Sequence, residues 1–122
     1  MEVINTDLVV MPERNYLCGS PDGIVIEGGS IKKILEIKCP KTCAAKPVYD
    51  PKSKTFNVKY LEKINGLSKL KTNHIYYTQC QILMYVCGLS ECDLFVWSPV
   101  NNGSELFSVL KDKNFCHRLF LK

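Results

Sequence analysis

The sequence predicts an α/β domain in which a mixed central sheet is flanked by helices. Three observations carry this expectation. The β-branched run Ile24-Val25-Ile26, the turn formers Gly28-Gly29-Ser30 and an apolar run ending at Lys38 read as an antiparallel hairpin over 23–38. A helical segment over 74–87 separates this hairpin from a continuous apolar run near 93–97. "ELFSVL" at 105–110 then offers that run an antiparallel partner across the Asn101-Asn102-Gly103 turn.

In chain order, "YLCGSPDGIVIEGGSIKKILEIKCP" alternates strand and turn, with Gly19-Ser20-Pro21-Asp22-Gly23 as the first cluster of turn formers. Pro40 ends the last of these strands because it cannot donate to a ladder. Residues 41–71 read as a basic loop with a short helix, "YLEKINGLSKL" holding a helical turn broken at Gly66. The main helix follows, with Thr72 or Asn73 as N-cap and Gly88 as its stop. The terminal "KDKNFCHRLFLK" opens a further helix with Phe115 and Leu119 on one face.

A chain of 122 residues suits a single domain, 1–122, with 41–71 as an insertion within it. No run approaches the 18 or so apolar residues of a membrane span, and "MEVINTDLVV" lacks the basic-then-apolar pattern of a secretion signal. Seven cysteines, an odd number at scattered spacings, argue for free thiols in a reducing intracellular compartment, nucleus or cytoplasm, rather than a disulfide framework. A zinc-organised domain has only Cys39-x3-Cys43 as a loose half-site, with no C-x2-C pair.

Charge is unevenly distributed. Residues 1–30 hold five acids and one base, whereas 31–71 hold eleven lysines and three acids, a local balance of +8. Such a segment is either a solvated loop or a surface that attracts a polyanion, nucleic acid first. The pattern alone leaves both open.

Within "LEIKCP", residues 35–40, Leu35 and Ile37 point to one side of a strand and Glu36 and Lys38 to the other. If Gly28-Gly29-Ser30 is a three-residue loop, Glu27 pairs with Ile31 and Asp22 lies opposite Glu36, Cβ atoms ~4.5–5.5 Å apart. Two carboxylates that close need compensation, from Lys38 as a salt bridge or from a divalent cation held between them. On the helix, Ile75, Gln79, Ile82, Leu83 and Val86 follow the spacing of a core-facing stripe. Gln79 is its polar member and needs a partner, either a core backbone group or the Asp22/Glu36/Lys38 cluster. Gln81 falls on the opposite side.

Pro21-Asp22, thirteen intervening residues and Glu36-Ile37-Lys38 spell P-D…E-x-K. Together with "GSPDGIV", "YYTQCQILMYVCG" and "CDLFVW" in that order, the chain from about Leu17 to Ser98 resembles the lambda-exonuclease-like, YqaJ-type viral recombinase family of the PD-(D/E)xK nuclease superfamily. The resemblance implies a restriction-endonuclease-like core and a metal-dependent DNA nuclease, an exonuclease of viral or mobile-element recombination type. It implies Mg²⁺ or Mn²⁺ held by Asp22, Glu36 and the backbone carbonyl of Ile37, with Lys38 and Gln79 as further catalytic groups. Lys41, Lys46, Lys52, Lys54 and Tyr76 become candidate DNA contacts. DNA is the implied partner, with homo-oligomers and the remaining parts of a larger nuclease chain as others, and no membrane. The family carries an upstream helix with a further acidic residue. Counted back from Asp22 it falls before Met1, leaving Glu13 and Glu2 as the nearest acids. A catalytically reduced module that binds DNA or a protein is the competing expectation.

Overall fold

The structure, a computed structural model, describes residues 2–5, 9–11 and 14–120. Its strands are β1 (Glu2–Ile4), β2 (Val9–Met11), β3 (Arg14–Gly19), β4 (Gly23–Glu27), β5 (Ser30–Lys38), β6 (Tyr49–Asp50), β7 (Thr55–Phe56), β8 (Leu61–Ile64), β9 (Leu67–Leu70), β10 (Glu91–Val96) and β11 (Glu105–Leu110). Two α-helices, α1 (Ile75–Cys87) and α2 (Lys113–Phe120), complete the described elements apart from a 3-10 turn at Lys41–Cys43. The central sheet has the order β1-β4-β5-β10-β11 and is mixed: β5 and β10 are parallel, the other neighbours antiparallel. A parallel pair needs a crossover, and the basic segment with α1 supplies it.

The β4–β5 turn corrects one expectation and keeps its consequence. The loop is two residues long, Gly28 and Gly29 at positive φ, so Glu27 faces Ser30. Alone, that would shift the pairing by one and turn Glu36 away from Asp22. A β-bulge undoes the shift: Ile26 faces Ile31, yet Val25 faces Lys33, leaving Lys32 as the extra residue. Gly23 then faces Leu35, and one step further Asp22 stands opposite Glu36.

Residues 41–71 are not the expected loop with a short helix. They form two hairpins, β6–β7 and β8–β9, and Val48, Val58, Tyr60, Leu61 and Leu70 join the hydrophobic core. The misread signal is Asn65-Gly66, which turns β8 into β9 with φ of 52° and 80° at the two positions. Both residues at positive φ make the turn that best matches strand twist.

Helix α1 is also phased differently from the predicted stripe. His74, not Thr72 or Asn73, is the N-cap, its Nδ1 accepting from the Tyr76 amide at 3.1 Å. The helix ends at Gly88 in the left-handed conformation, with Leu89 N donating to Met84 O. Tyr77, Cys80, Gln81 and Met84 are buried, whereas Ile75 and Gln79 are exposed. The reason is that α1 is apolar nearly all round. It packs on the sheet face carrying Ile34, Cys92, Leu94 and Phe107, and its Leu83 meets the end of β3. A Cβ at Gly19 would lie 2.7 Å from Leu83 Cδ2, so any larger residue there would push the Leu83 side chain aside.

Gln81, expected on the outer side, is fully buried. Its Nε2 donates to Leu110 O at 2.9 Å and its Oε1 accepts from Asp112 N at 2.8 Å, tying α1 to the junction of β11 and α2. Cys39, Cys43, Cys80, Cys87, Cys92 and Cys116 are free thiols. No helix among the described residues is long and apolar enough to cross a membrane.

Candidate active site

Pro21 is buried and leads into β4, which sets Asp22 beside the C-terminal end of β5. The two segments are latched reciprocally. Asp22 N donates to Glu36 Oε1 at 3.1 Å, and Ile37 N donates to Asp22 Oδ2 at 2.8 Å. Each carboxylate thus spends one oxygen on the other's strand and keeps one oxygen for another partner. Ile37, whose carbonyl is the expected third ligand, lies between Glu36 and Lys38 with its side chain on the opposite face of the sheet.

Lys38 does not bridge to Glu36. Its Nζ donates to Gln79 Oε1 at 3.0 Å and sits 4.0 Å above the centre of the Tyr76 ring. Among the described residues, Lys33 and Asp93 form the ion pair, at 2.8 Å. The two opposite charges on this strand face are therefore not joined by a salt bridge. Glu36 is 7% exposed, so its charge is costly without a nearby cation. Burial pushes its carboxyl above the usual carboxylate value, and the Asp22 carboxylate adds to the rise. The Asp22 amide opposes it, and Lys38 does so least.

Gln79 reaches this cluster because it is exposed on the outer side of α1, not because it belongs to a buried stripe. A small cavity of about 220 Å³ is lined by Ser20, Glu36, Gln79, Ile82 and Leu83. A larger one, about 610 Å³ and bordered by β9 and β11, contains none of the predicted catalytic residues. Lys41, Lys46, Lys52 and Lys54 are all exposed on the basic segment. Tyr76 is half-buried, its ring packed edge to face with Tyr60 at 4.7 Å and His74 at 4.6 Å. Neither Tyr60 nor His74 stood out in the sequence. His74-x-Tyr76 at a helix start was the available signal, whereas nothing local points from Tyr60 to the helix.

The donor set fits a hard divalent cation. Two carboxylates and a carbonyl are oxygen ligands of the kind Mg²⁺ and Mn²⁺ take, and Mg²⁺ commonly uses one or two carboxylates plus substrate phosphates. A buried, under-compensated Glu36 is what such an ion would neutralise. Among the described residues no group of three or more His, Cys, Asp or Glu side chains is arranged to hold a metal. Glu2, one of the acids expected to substitute for an upstream carboxylate, pairs with Ile26 at the end of β4 remote from Asp22. Glu13 lies outside the described residues.

Residues 1–90 match the family model of the YqaJ-like viral recombinase domain. No curated protein matches the sequence. Among solved structures, an alkaline exonuclease from Laribacter hongkongensis superposes with a TM-score of 0.62 at 18% identity, over 97% of this chain and 51% of that one. The chain therefore has the lambda-exonuclease-like nuclease fold and spans about half the length of that neighbour.

Proposed function

The chain belongs to the YqaJ-like viral recombinase domain family, and from that premise we propose that it is a metal-dependent DNA nuclease, an exonuclease of viral or mobile-element recombination type. The observation that carries this reading is the latch of Asp22 and Glu36 with Lys38 beside them, held by Gln79 and the Tyr76 ring rather than by either carboxylate. Stability alone would favour a neutral pair. A carboxylate couple next to an ammonium that is ion-paired to neither suits a cation and a phosphodiester.

In this reading Asp22, Glu36 and the Ile37 carbonyl hold Mg²⁺ or Mn²⁺. When bound, such a cation supplies Lewis-acid polarisation of the phosphate and acidifies water. Gln79 uses its carbonyl on Lys38, which leaves its amide N–H groups to donate to a phosphate oxygen. Lys38 gives one N–H to Gln79 and keeps two for the charge that develops on the phosphate. The Lys41, Lys46, Lys52 and Lys54 side chains contact the backbone of DNA, a sequence-independent attraction that weakens steeply with salt.

The test is degradation of linear duplex DNA with Mg²⁺ or Mn²⁺ by wild type, Glu36→Ala and Lys38→Ala. Loss of cleavage in both variants is the expected result; three proteins that behave alike would overturn it. A second reading, a catalytically reduced module that only binds DNA or a protein, is favoured by the lack of a third carboxylate beside Asp22 and Glu36 among the described residues. It predicts salt-sensitive DNA retention that survives Asp22→Ala and Glu36→Ala, with no cleavage by wild type.

A further inference from the structure

Lys38 has an unusual set of anchors. A lysine is a flexible stem with a compact charge, and left alone its ammonium samples many positions. A catalytic charge must be held to about 0.5 Å. The obvious anchor, Glu36, is on the same strand face two residues away, yet it makes no bond to Lys38. The ammonium is held instead by one hydrogen bond, to Gln79 Oε1 at 3.0 Å, and by the face of the Tyr76 ring at 4.0 Å.

We infer that Tyr76 is a positioning residue for Lys38, and that Tyr60 and His74 hold the Tyr76 ring in place for that purpose. This rests on the nuclease reading above for its consequence, but not for its geometry. An aromatic face attracts a cation through its quadrupole. It neither cancels the positive charge, as a carboxylate would, nor uses up an N–H. The ammonium is thereby fixed while two of its three donors remain for a substrate.

The ring itself is immobilised from two directions. His74 caps α1 through Nδ1, which fixes its imidazole, and that imidazole packs against Tyr76 at 4.6 Å and 70°. Tyr60, 7% exposed, packs against Tyr76 at 4.7 Å and 67° and against His74 at 5.3 Å. Tyr60 lies just before β8, and its carbonyl accepts from Lys71 N at 2.8 Å, so the open end of the β8–β9 ladder, away from the Asn65-Gly66 turn, anchors it. The basic segment thus reaches the site from behind, through an aromatic contact. For Tyr76, one face is already taken by the lysine, and a nucleobase stacking there would have to displace it.

Two measurements test this. In NMR spectra of the wild type without DNA, the Lys38 ε-methylene protons should lie upfield of those of the other lysines, shifted by the Tyr76 ring current. Tyr76→Phe should keep that shift and Tyr76→Leu should abolish it. In DNA cleavage, Tyr76→Leu should lower kcat about 10- to 100-fold with little change in KM, as expected for a misplaced catalytic group. Tyr76→Phe, which retains the face and loses the hydroxyl, should restore kcat to near wild type. An unshifted Lys38 in the wild type overturns the inference, and so does a Tyr76→Phe variant as impaired as Tyr76→Leu. If the shift behaves as expected but the wild type does not cut DNA, the lysine hold stands and the nuclease reading falls.

Discussion

Strand β5 carries Lys33 and Lys38 on its two faces, and the molecule treats them differently. Lys33 meets Asp93 of β10 at 2.8 Å, and that hydrogen bond is the main reason its ammonium titrates above the usual lysine value. Lys38 has Glu36 as close in sequence, on its own face, and turns instead to an amide and an aromatic ring. One pair is neutral and complete. The other leaves a buried carboxylate and an ammonium separately available, with Asp22 adding a second negative charge. A half-buried strand can satisfy opposite charges cheaply, as the first pair does.

The largest effect should come from breaking each side of that contrast in turn. Lys38→Ala should lower DNA cleavage about 10²–10³-fold, the range for removing a donor aimed at developing charge, and leave the melting temperature nearly unchanged. Lys33→Ala should do the reverse: cleavage within about twofold of wild type and a stability loss of ~1–3 kcal/mol, because Asp93, only 8% exposed, is left without its cation. Cleavage kinetics and thermal denaturation of both variants decide the matter. Equal loss of activity from both would mean that the two faces are not functionally distinct.

The two glutamines of α1 sharpen the same contrast between groups that lock the fold and groups left available. Gln81→Ala removes the side-chain partner of Leu110 O and Asp112 N at the part-buried β11–α2 junction and should cost ~1–3 kcal/mol in all. Gln79→Ala should leave stability unaffected and reduce cleavage. Urea denaturation alongside activity separates the outcomes.

The smallest expected effect concerns Asp112, whose carboxylate accepts from Phe115 N at 3.0 Å and from the Tyr77 hydroxyl at 2.9 Å. The Phe115 amide, then the Tyr77 hydroxyl, hold its pKa below the ordinary 3.8. A depressed folded value means stabilisation that is fully present above pH 3.8 and lost as pH falls through the folded value. Asp112→Asn should therefore be less stable than wild type at neutral pH, and the gap should close in acid. A gap independent of pH would assign the effect to shape rather than charge.

Much of this was legible in the sequence, and particular residues explain what was not. The P-D…E-x-K spacing and the resemblance around it pointed to the family. The opposition of Asp22 and Glu36 was derived from a three-residue loop that does not exist, and it holds because the Lys32 bulge compensates for the shorter turn. A turn and a bulge can each move a register by one, and pairing rules see only their sum. The phase of α1 was misread because the helix buries side chains against both the sheet and β3, so an apolar stripe has no unique direction. The hairpin at Asn65-Gly66 was visible in principle, but surrounding lysines made the segment look like a solvated loop. Tyr60 could not have been placed near Tyr76 at all, since that contact depends on how the segment before β8 packs against the start of α1.

The central claim is that Asp22 and Glu36 are held together for a divalent cation. A crystal of the protein soaked in Mn²⁺ tests it most directly, through the anomalous signal of the metal. The account predicts a peak between the Asp22 and Glu36 carboxylates, lost in Glu36→Ala, and none at Lys33 and Asp93. Absence of density at Asp22 and Glu36 in a soaked crystal that binds Mn²⁺ elsewhere would contradict it.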